Sequence, residues 1–158
     1  MWKIMLGVLL SFCGVFFGKM TISKYLKRKR FFKSLSDFAA FLSNKISFEA
    51  ERLPKIIKSY PFSSRDLKML SLNFSQNNED FANVKFPEYL SDDEIVFVKE
   101  FFLVLGKSDC YSQSEMLLKL SDKYDKESKR QGEDYEKKKK ISVKLGLLAG
   151  VCIFTILV

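Results

Sequence analysis

Residue types that carry most enzymatic chemistry are scarce in this 158-residue sequence. It contains no histidine, so the commonest general base and the commonest metal ligand are both missing. Cys110 stands alone, and Cys13 and Cys152 lie in long apolar segments, so the cysteines form neither a zinc constellation nor a disulfide framework. The sequence also has no glycine-rich phosphate loop. We therefore expect no enzymatic activity and no cofactor or metal site.

One acidic pair, Asp92-Asp93, has the residue types for acid–base chemistry. Ser91 and Glu94 flank this pair in the pattern of a capping box, in which each side chain bonds the other residue's backbone amide. Acidic residues in the first turn also complement the positive end of the helix dipole. The pattern favours a helix start over a catalytic site.

A turn follows the apolar run that ends at Leu105. Gly106 suits the left-handed residue that ends a helix, and Ser108, Asp109 and Ser112 are each able to cap the next one. The turn is either a rigid helix connection or a contact site for a partner, and both interpretations stay open. The candidate partner-binding residues are Gly106, Lys107, Ser108, Asp109 and Gln113.

The spacing of apolar residues predicts an all-α fold built as a small helical bundle. One helical face is formed by residues three and four apart, namely Phe31, Leu35, Phe38, Leu42 and Ile46. A short segment from Pro54 ends at Ser59–Pro61, a helix is predicted over Ser64–Phe74, and Gln76–Asp80 is predicted to be a polar loop. The stretch Ile95–Leu105 is apolar almost all round, which predicts the buried centre of the bundle.

After the turn, Ser112 and Glu115 repeat the capping-box pattern, and an apolar stripe continues to Tyr124. Beyond Tyr124 the stripe fades into acid-to-base pairs four residues apart, which is typical of a solvated helix surface. We predict one long C-terminal stalk helix, with Gly132 as a candidate bend.

Both ends of the chain are apolar and predict membrane helices. Residues 4–18 carry no charge, and apolar character continues to Ile22. Ile141–Val158, if helical, spans about 27 Å, close to the hydrocarbon thickness of a bilayer. We therefore predict transmembrane helices at residues 1–22 and within 137–158, and a bundle with its stalk at 23–136.

Basic residues flank these segments on their inner sides. The membrane-flanking set comprises Lys24, Lys27, Arg28, Lys29, Arg30, Lys137, Lys138, Lys139 and Lys140. By the positive-inside rule, the intervening domain is cytoplasmic and both termini lie outside. The same clusters are expected to attract anionic membrane lipids.

The net charge of +8 does not indicate a nucleic-acid partner, because its distribution is uneven. Residues 34–136 hold 14 basic and all 19 acidic residues, a net charge of −5. An acidic domain gains nothing from counterion release on a phosphate backbone. We therefore expect protein partners for this part of the chain.

The turn motif Leu105-Gly106-Lys107-Ser108-Asp109, followed by Gln113, resembles the signature of the stage III sporulation protein AB family. The apolar start followed by basic residues, Leu53-Pro54, and the lysine-rich approach to the C-terminal segment agree with that family. The resemblance covers essentially the whole chain.

This resemblance implies a membrane protein required for endospore formation, in a secretion-like channel of the mother-cell membrane around the forespore. Its partners would be other products of the stage III sporulation operon, including a cytoplasmic ATPase that the bundle would adapt to the membrane assembly. The bundle would resemble a cytoplasmic domain of the platform protein of type II secretion and type IV pilus systems.

Two alternatives stay open beside this one. The chain could be a membrane-tethered regulatory or interaction module unrelated to secretion, and homo-oligomerisation through the membrane helices is compatible with either function.

Overall fold

The computed structural model describes residues 2–49, 53–76, 84–107 and 109–157, with backbone alone in α1 before Ile22 and in most of α5 after Leu145. Within these ranges the fold is all-α, as predicted. The five helices are α1 (Trp2–Glu49), α2 (Leu53–Ser59), α3 (Arg65–Gln76), α4 (Asp92–Val104) and α5 (Cys110–Leu157). Most of the predicted loop at Gln76–Asp80 lies outside the described residues.

The chain forms two compact units. The terminal unit comprises Met1–Lys27 and Arg130–Val158, and the bundle unit comprises Arg28–Lys129. Among the described residues, no helix combines the length and the apolar character that a membrane crossing requires. The side chains of both predicted membrane segments lie largely outside the described set, so the two membrane helices stay predictions.

The predicted apolar face of α1 is confirmed, because all five of its members are buried in the bundle unit. The Phe38 ring contacts two other aromatic rings. Its centroid lies 5.8 Å from that of Phe101 in α4 and 5.0 Å from that of Phe62, which follows α2. Tyr124 of α5 is fully buried, and its hydroxyl donates to the backbone carbonyl of Phe97 at 3.1 Å. Aromatic rings therefore fill much of the space between the helices.

Within the bundle unit, α1 and α5 run antiparallel along a row of serines, which we call the serine seam. Ser36 bonds Ser121, Ser43 bonds Ser114, and Ser128 Oγ donates to the carbonyl of Lys29 at 3.0 Å. The serines on each helix recur every seven residues, the repeat that keeps one helix face against another. Their small side chains let the two backbones approach closely, and each hydroxyl bonds the opposite helix.

The predicted capping box at α4 is confirmed. Ser91 Oγ accepts from the Glu94 amide at 3.4 Å, and Glu94 Oε2 accepts from the Ser91 amide at 2.8 Å. The predicted all-round burial of α4 is wrong, since Val96 is 68% exposed and Leu103 is 56% exposed. Among the described residues, α4 packs on one side only, through buried Val98, Phe101 and Phe102, and Val96 and Leu103 lie on the other.

The helix after the turn is a single long helix, as predicted, and it runs through Gly132 without interruption. It begins earlier than the capping pattern at Ser112 and Glu115 suggested. Asp109 lies three residues before Ser112, and its Oδ2 accepts from the Ser112 amide at 3.1 Å. Asp109 is therefore the N-cap, and Ser112 already lies within the first turn.

Candidate partner-binding turn and basic flanks

The α4–α5 turn is held by its own backbone. Gly106 has a φ of 81°, the left-handed conformation predicted for it. The amide of Lys107 donates to the carbonyl of Val104 at 3.4 Å, and the amide of Gln113 donates to the carbonyl of Asp109 at 2.9 Å. A glycine in the left-handed conformation at one end and a helix cap at the other define both ends of the turn.

The charge of Asp109 also favours its place at the start of α5. Hydrogen bonds from Ser112 to the Asp109 carboxylate, together with backbone amides of the first turn, hold the pKa of Asp109 below its ordinary value. The charged carboxylate also complements the positive end of the α5 dipole.

The structure brings only some of the candidate turn residues together at the surface. Gly106, Lys107 and Asp109 are exposed, and Ser108 lies outside the described residues. Gln113 is only 6% exposed, and in the described structure its side-chain nitrogen has no hydrogen-bond partner. A partner at the turn would therefore contact the other residues and not the Gln113 side chain.

Exposed apolar side chains near this turn were not predicted from the sequence. They lie on the last turn of α4 and the first three turns of α5: Leu103 (56% exposed), Tyr111 (81%), Met116 (40%) and Leu118 (48%). We call these four residues, with Gly106 and Lys107, the hairpin tip. Leu103 lies seven residues after the exposed Val96 and so shares its face of α4.

The basic flanking residues divide by environment. Lys24, Lys27, Lys29 and Arg30 are exposed, and so are Lys137, Lys138, Lys139 and Lys140. Arg28 differs, because its Nε lies 3.3 Å from Glu94 Oε2 and donates to the carbonyl of Tyr89. Arg28 therefore contributes to the bundle unit itself.

Glu94 is the most buried acidic side chain among those described, at 6% exposure. Its Oε2 accepts from the amide and the hydroxyl of Ser91 and pairs with Arg28. Nearby, the hydroxyl of Tyr89 donates to Asp66 Oδ2 at 2.6 Å, and burial together with this bond raises the pKa of Tyr89. These groups are occupied by structural bonds, which leaves Glu94 poorly suited to acid–base chemistry.

Metal chemistry finds no support in the described part of the chain. No group of three or more histidine, cysteine, aspartate or glutamate side chains there could hold a metal ion. Cys110 is exposed and free.

These features define the class of the protein: an all-α fold in whose bundle unit α1 and α5 pack antiparallel, with hydrogen-bonded serines between them and a capping box at α4. The chain belongs to the stage III sporulation protein AB family, whose model matches residues 3–158. Searches of curated proteins and of solved structures each found no match. Family membership implies a role in sporulation and association with other proteins of the stage III sporulation operon.

Proposed function

We propose that the chain is a membrane component of the sporulation channel in the mother-cell membrane around the forespore, and that it adapts the operon's cytoplasmic ATPase to that assembly. The observation that carries this proposal is the family match over residues 3–158. The bundle unit would be the cytoplasmic part, and the terminal unit would hold the two membrane helices.

The hairpin tip is the proposed contact surface for the ATPase. The tip combines a turn whose ends are fixed by Gly106 and the Asp109 cap with apolar side chains that the described part of the chain leaves exposed. Exposed aromatic and apolar residues on a rigid support are the usual anchors of protein interfaces. Lys107 and Asp109 would form a polar rim at which opposite charges of the partner can pair.

The binding experiment uses the full-length protein in detergent or nanodiscs and the purified ATPase. Tyr111→Ser and Leu103→Ser are expected to weaken binding by tenfold or more, because an anchor residue in an interface contributes about 2 kcal/mol. Val96→Ser is the matched control, since Val96 is exposed on the same face of α4 but lies seven residues from Leu103.

The outcomes distinguish the candidate functions and locate the contact surface. Loss of binding in the Leu103 and Tyr111 variants with binding retained in Val96→Ser supports both the adaptor role and the hairpin tip. Equal loss in all three would move the contact surface along α4. No binding by the folded wild-type protein would overturn the adaptor proposal and favour the membrane-tethered regulatory module.

The proposed topology has its own test, which uses the exposed Cys110. In a Cys13→Ser/Cys152→Ser background, a membrane-impermeant maleimide should label Cys110 only after the cells are permeabilised. Labelling of intact cells would contradict a cytoplasmic bundle with both termini outside.

A further inference from the structure

The α3 helix of the bundle unit carries an exposed face outside the hairpin tip. Arg65 and Met69 lie four residues apart, and Lys68 lies beside them, so the three share one side of α3. Arg65 and Lys68 are exposed and Met69 is 56% exposed, whereas Leu67 and Leu70 are buried. This side of α3, which we call the basic face, therefore offers two cations and one large apolar side chain.

The outer side of α4 has the opposite charge. Asp92 lies four residues before Val96 and Asp93 lies three before it, so these three residues also share one side of their helix. Both carboxylates are exposed, and Val96 is 68% exposed. We call this side of α4 the acidic face. In each face, a charged residue precedes the apolar residue by one helical turn.

The charges of the two faces are not neutralised within the described part of the chain. No described residue forms an ion pair with the two cations of the basic face or with the two carboxylates of the acidic face. Helix stability accounts for Asp92 and Asp93, because they lie at the positive end of the α4 dipole. It does not account for Arg65, the first residue of α3, because a cation is unfavourable at a helix start.

Helices α3 and α4 run in the same direction. Near their starts, the hydroxyl of Tyr89 donates to Asp66 Oδ2 at 2.6 Å. Towards their ends, the ring centroids of Phe74 and Phe102 lie 5.3 Å apart. The charged parts of the basic and acidic faces therefore lie at the same end of the bundle unit.

A two-fold axis parallel to these helices makes the two faces complementary between copies. It would set the basic face of one copy against the acidic face of a second copy, with Met69 against Val96, and would repeat the contact with the roles exchanged. Opposite charges then meet at both contacts. An axis perpendicular to the helices would instead place the cations at the far end of the partner's α4.

We propose that the bundle unit forms a homodimer through the basic face of α3 and the acidic face of α4. Charge complementarity selects a second copy as the partner, because the chain itself presents both signs with matching spacing. The surface contains no residue of the hairpin tip and none of the predicted membrane helices. The dimer therefore does not depend on the proposed adaptor role.

The test uses the full-length protein in detergent, expressed with two different affinity tags, and measures how much of one tagged copy copurifies with the other. Wild-type copies should copurify. R65E/K68E makes both faces negative and D92K/D93K makes both positive, so each variant should copurify with itself at least about tenfold less. The two variants should copurify with each other, because both contacts between them pair opposite charges.

A milder exchange and an apolar substitution extend this test. R65E with D93K repeats the exchange with one reversal on each face, which disturbs the start of α4 less. V96S should weaken self-association by at least about fivefold, because the valine loses its apolar contact. The same variant is expected to keep its binding to the ATPase, so the dimer and the adaptor role are tested separately.

The matched control is K126E/K129E, which reverses two exposed lysines three residues apart on α5. It should copurify with itself as wild type does, and circular dichroism checks that all variants remain helical. The proposal would be overturned by wild-type copies that do not copurify, by single-face variants that still copurify with themselves, or by mixed pairs that copurify no better than either variant alone. An equal loss in the control would also overturn it.

Discussion

Ser36 and Ser121 bond each other's helix reciprocally across the serine seam. Ser36 Oγ donates to the carbonyl of Ser121 at 2.9 Å, and Ser121 Oγ donates to the carbonyl of Ser36 at 3.0 Å. Ser43 and Ser114 repeat the arrangement one heptad away, at 2.8 and 3.2 Å. Two such pairs fix both the separation and the register of α1 and α5 in the bundle unit.

The seam should tolerate loss of the hydroxyl better than added volume. Ser36→Ala is expected to lower the free energy of unfolding by about 1 kcal/mol, the net worth of a hydrogen bond. Ser36→Leu is expected to lower it further, because overpacking alone costs about 1–3 kcal/mol and the helices must separate. Denaturant unfolding of the full-length protein, followed by circular dichroism, measures both.

Ser47→Leu is the matched control for the seam, since Ser47 is exposed on the same helix. Its effect should stay within about 0.5 kcal/mol. If Ser36→Leu were no more costly than Ser47→Leu, the close approach of α1 and α5 at this position would be wrong.

Arg28 should behave differently from its basic neighbours. Glu94→Ala is expected to destabilise the bundle unit by about 2–3 kcal/mol, because it removes a helix cap and the partner of a largely buried ion pair. Arg28→Gln should also destabilise it, whereas Lys24→Gln and Lys27→Gln should not. A double-mutant cycle on Arg28 and Glu94, measured by denaturant unfolding, gives their coupling.

A coupling near zero, or equal effects of Arg28→Gln and Lys27→Gln, would contradict this assignment. Arg28 would then be an ordinary membrane-flanking residue, as its position in the basic run suggests.

Gly106 tests whether the turn needs a left-handed residue. A Cβ added at Gly106 would meet nothing within 4 Å, so the expected cost of Gly106→Ala comes from the backbone alone. That cost is about 1–2 kcal/mol, and Gly106→Asn should cost less because asparagine tolerates the left-handed region better. Thermal unfolding of the two variants measures the difference. An alanine variant as stable as wild type would contradict the φ of 81° at this position.

The parts of the fold that follow from local chemistry could be predicted from the sequence. Apolar residues three and four apart identified the buried face of α1. Ser91 and Glu94 identified the start of α4, and Gly106 identified its end. The predicted burial of α4 was wrong because it depends on tertiary packing. An almost wholly apolar helix gives no sign of which side is covered, so the exposure of Val96 and Leu103 could not be read from it.

The candidate turn was predicted from the sequence only in part. The turn and its glycine follow from the sequence, but the burial of Gln113 depends on how α5 packs on the bundle. The serine seam was missed because an apolar pattern ignores serine. The seven-residue spacing of Ser36 and Ser43, and of Ser114, Ser121 and Ser128, was the signal that could have revealed it.

Asp109 should make the stability of the α5 start depend on pH. Its folded-state pKa lies below the ordinary value of 3.8, so its contribution is present above that value and is lost as the pH falls through the lowered pKa. Asp109→Ala should therefore lower the melting temperature at neutral pH, and its difference from wild type should shrink as the pH falls below 3.8. Asp109→Asn is the control, because asparagine caps a helix about as well but does not titrate in this range. At neutral pH it should melt between Asp109→Ala and wild type, because asparagine keeps the cap but lacks the charge, and its difference from Asp109→Ala should not change with pH. A difference between Asp109→Ala and wild type that stays constant down to acid pH would show that the carboxylate charge contributes nothing to the cap.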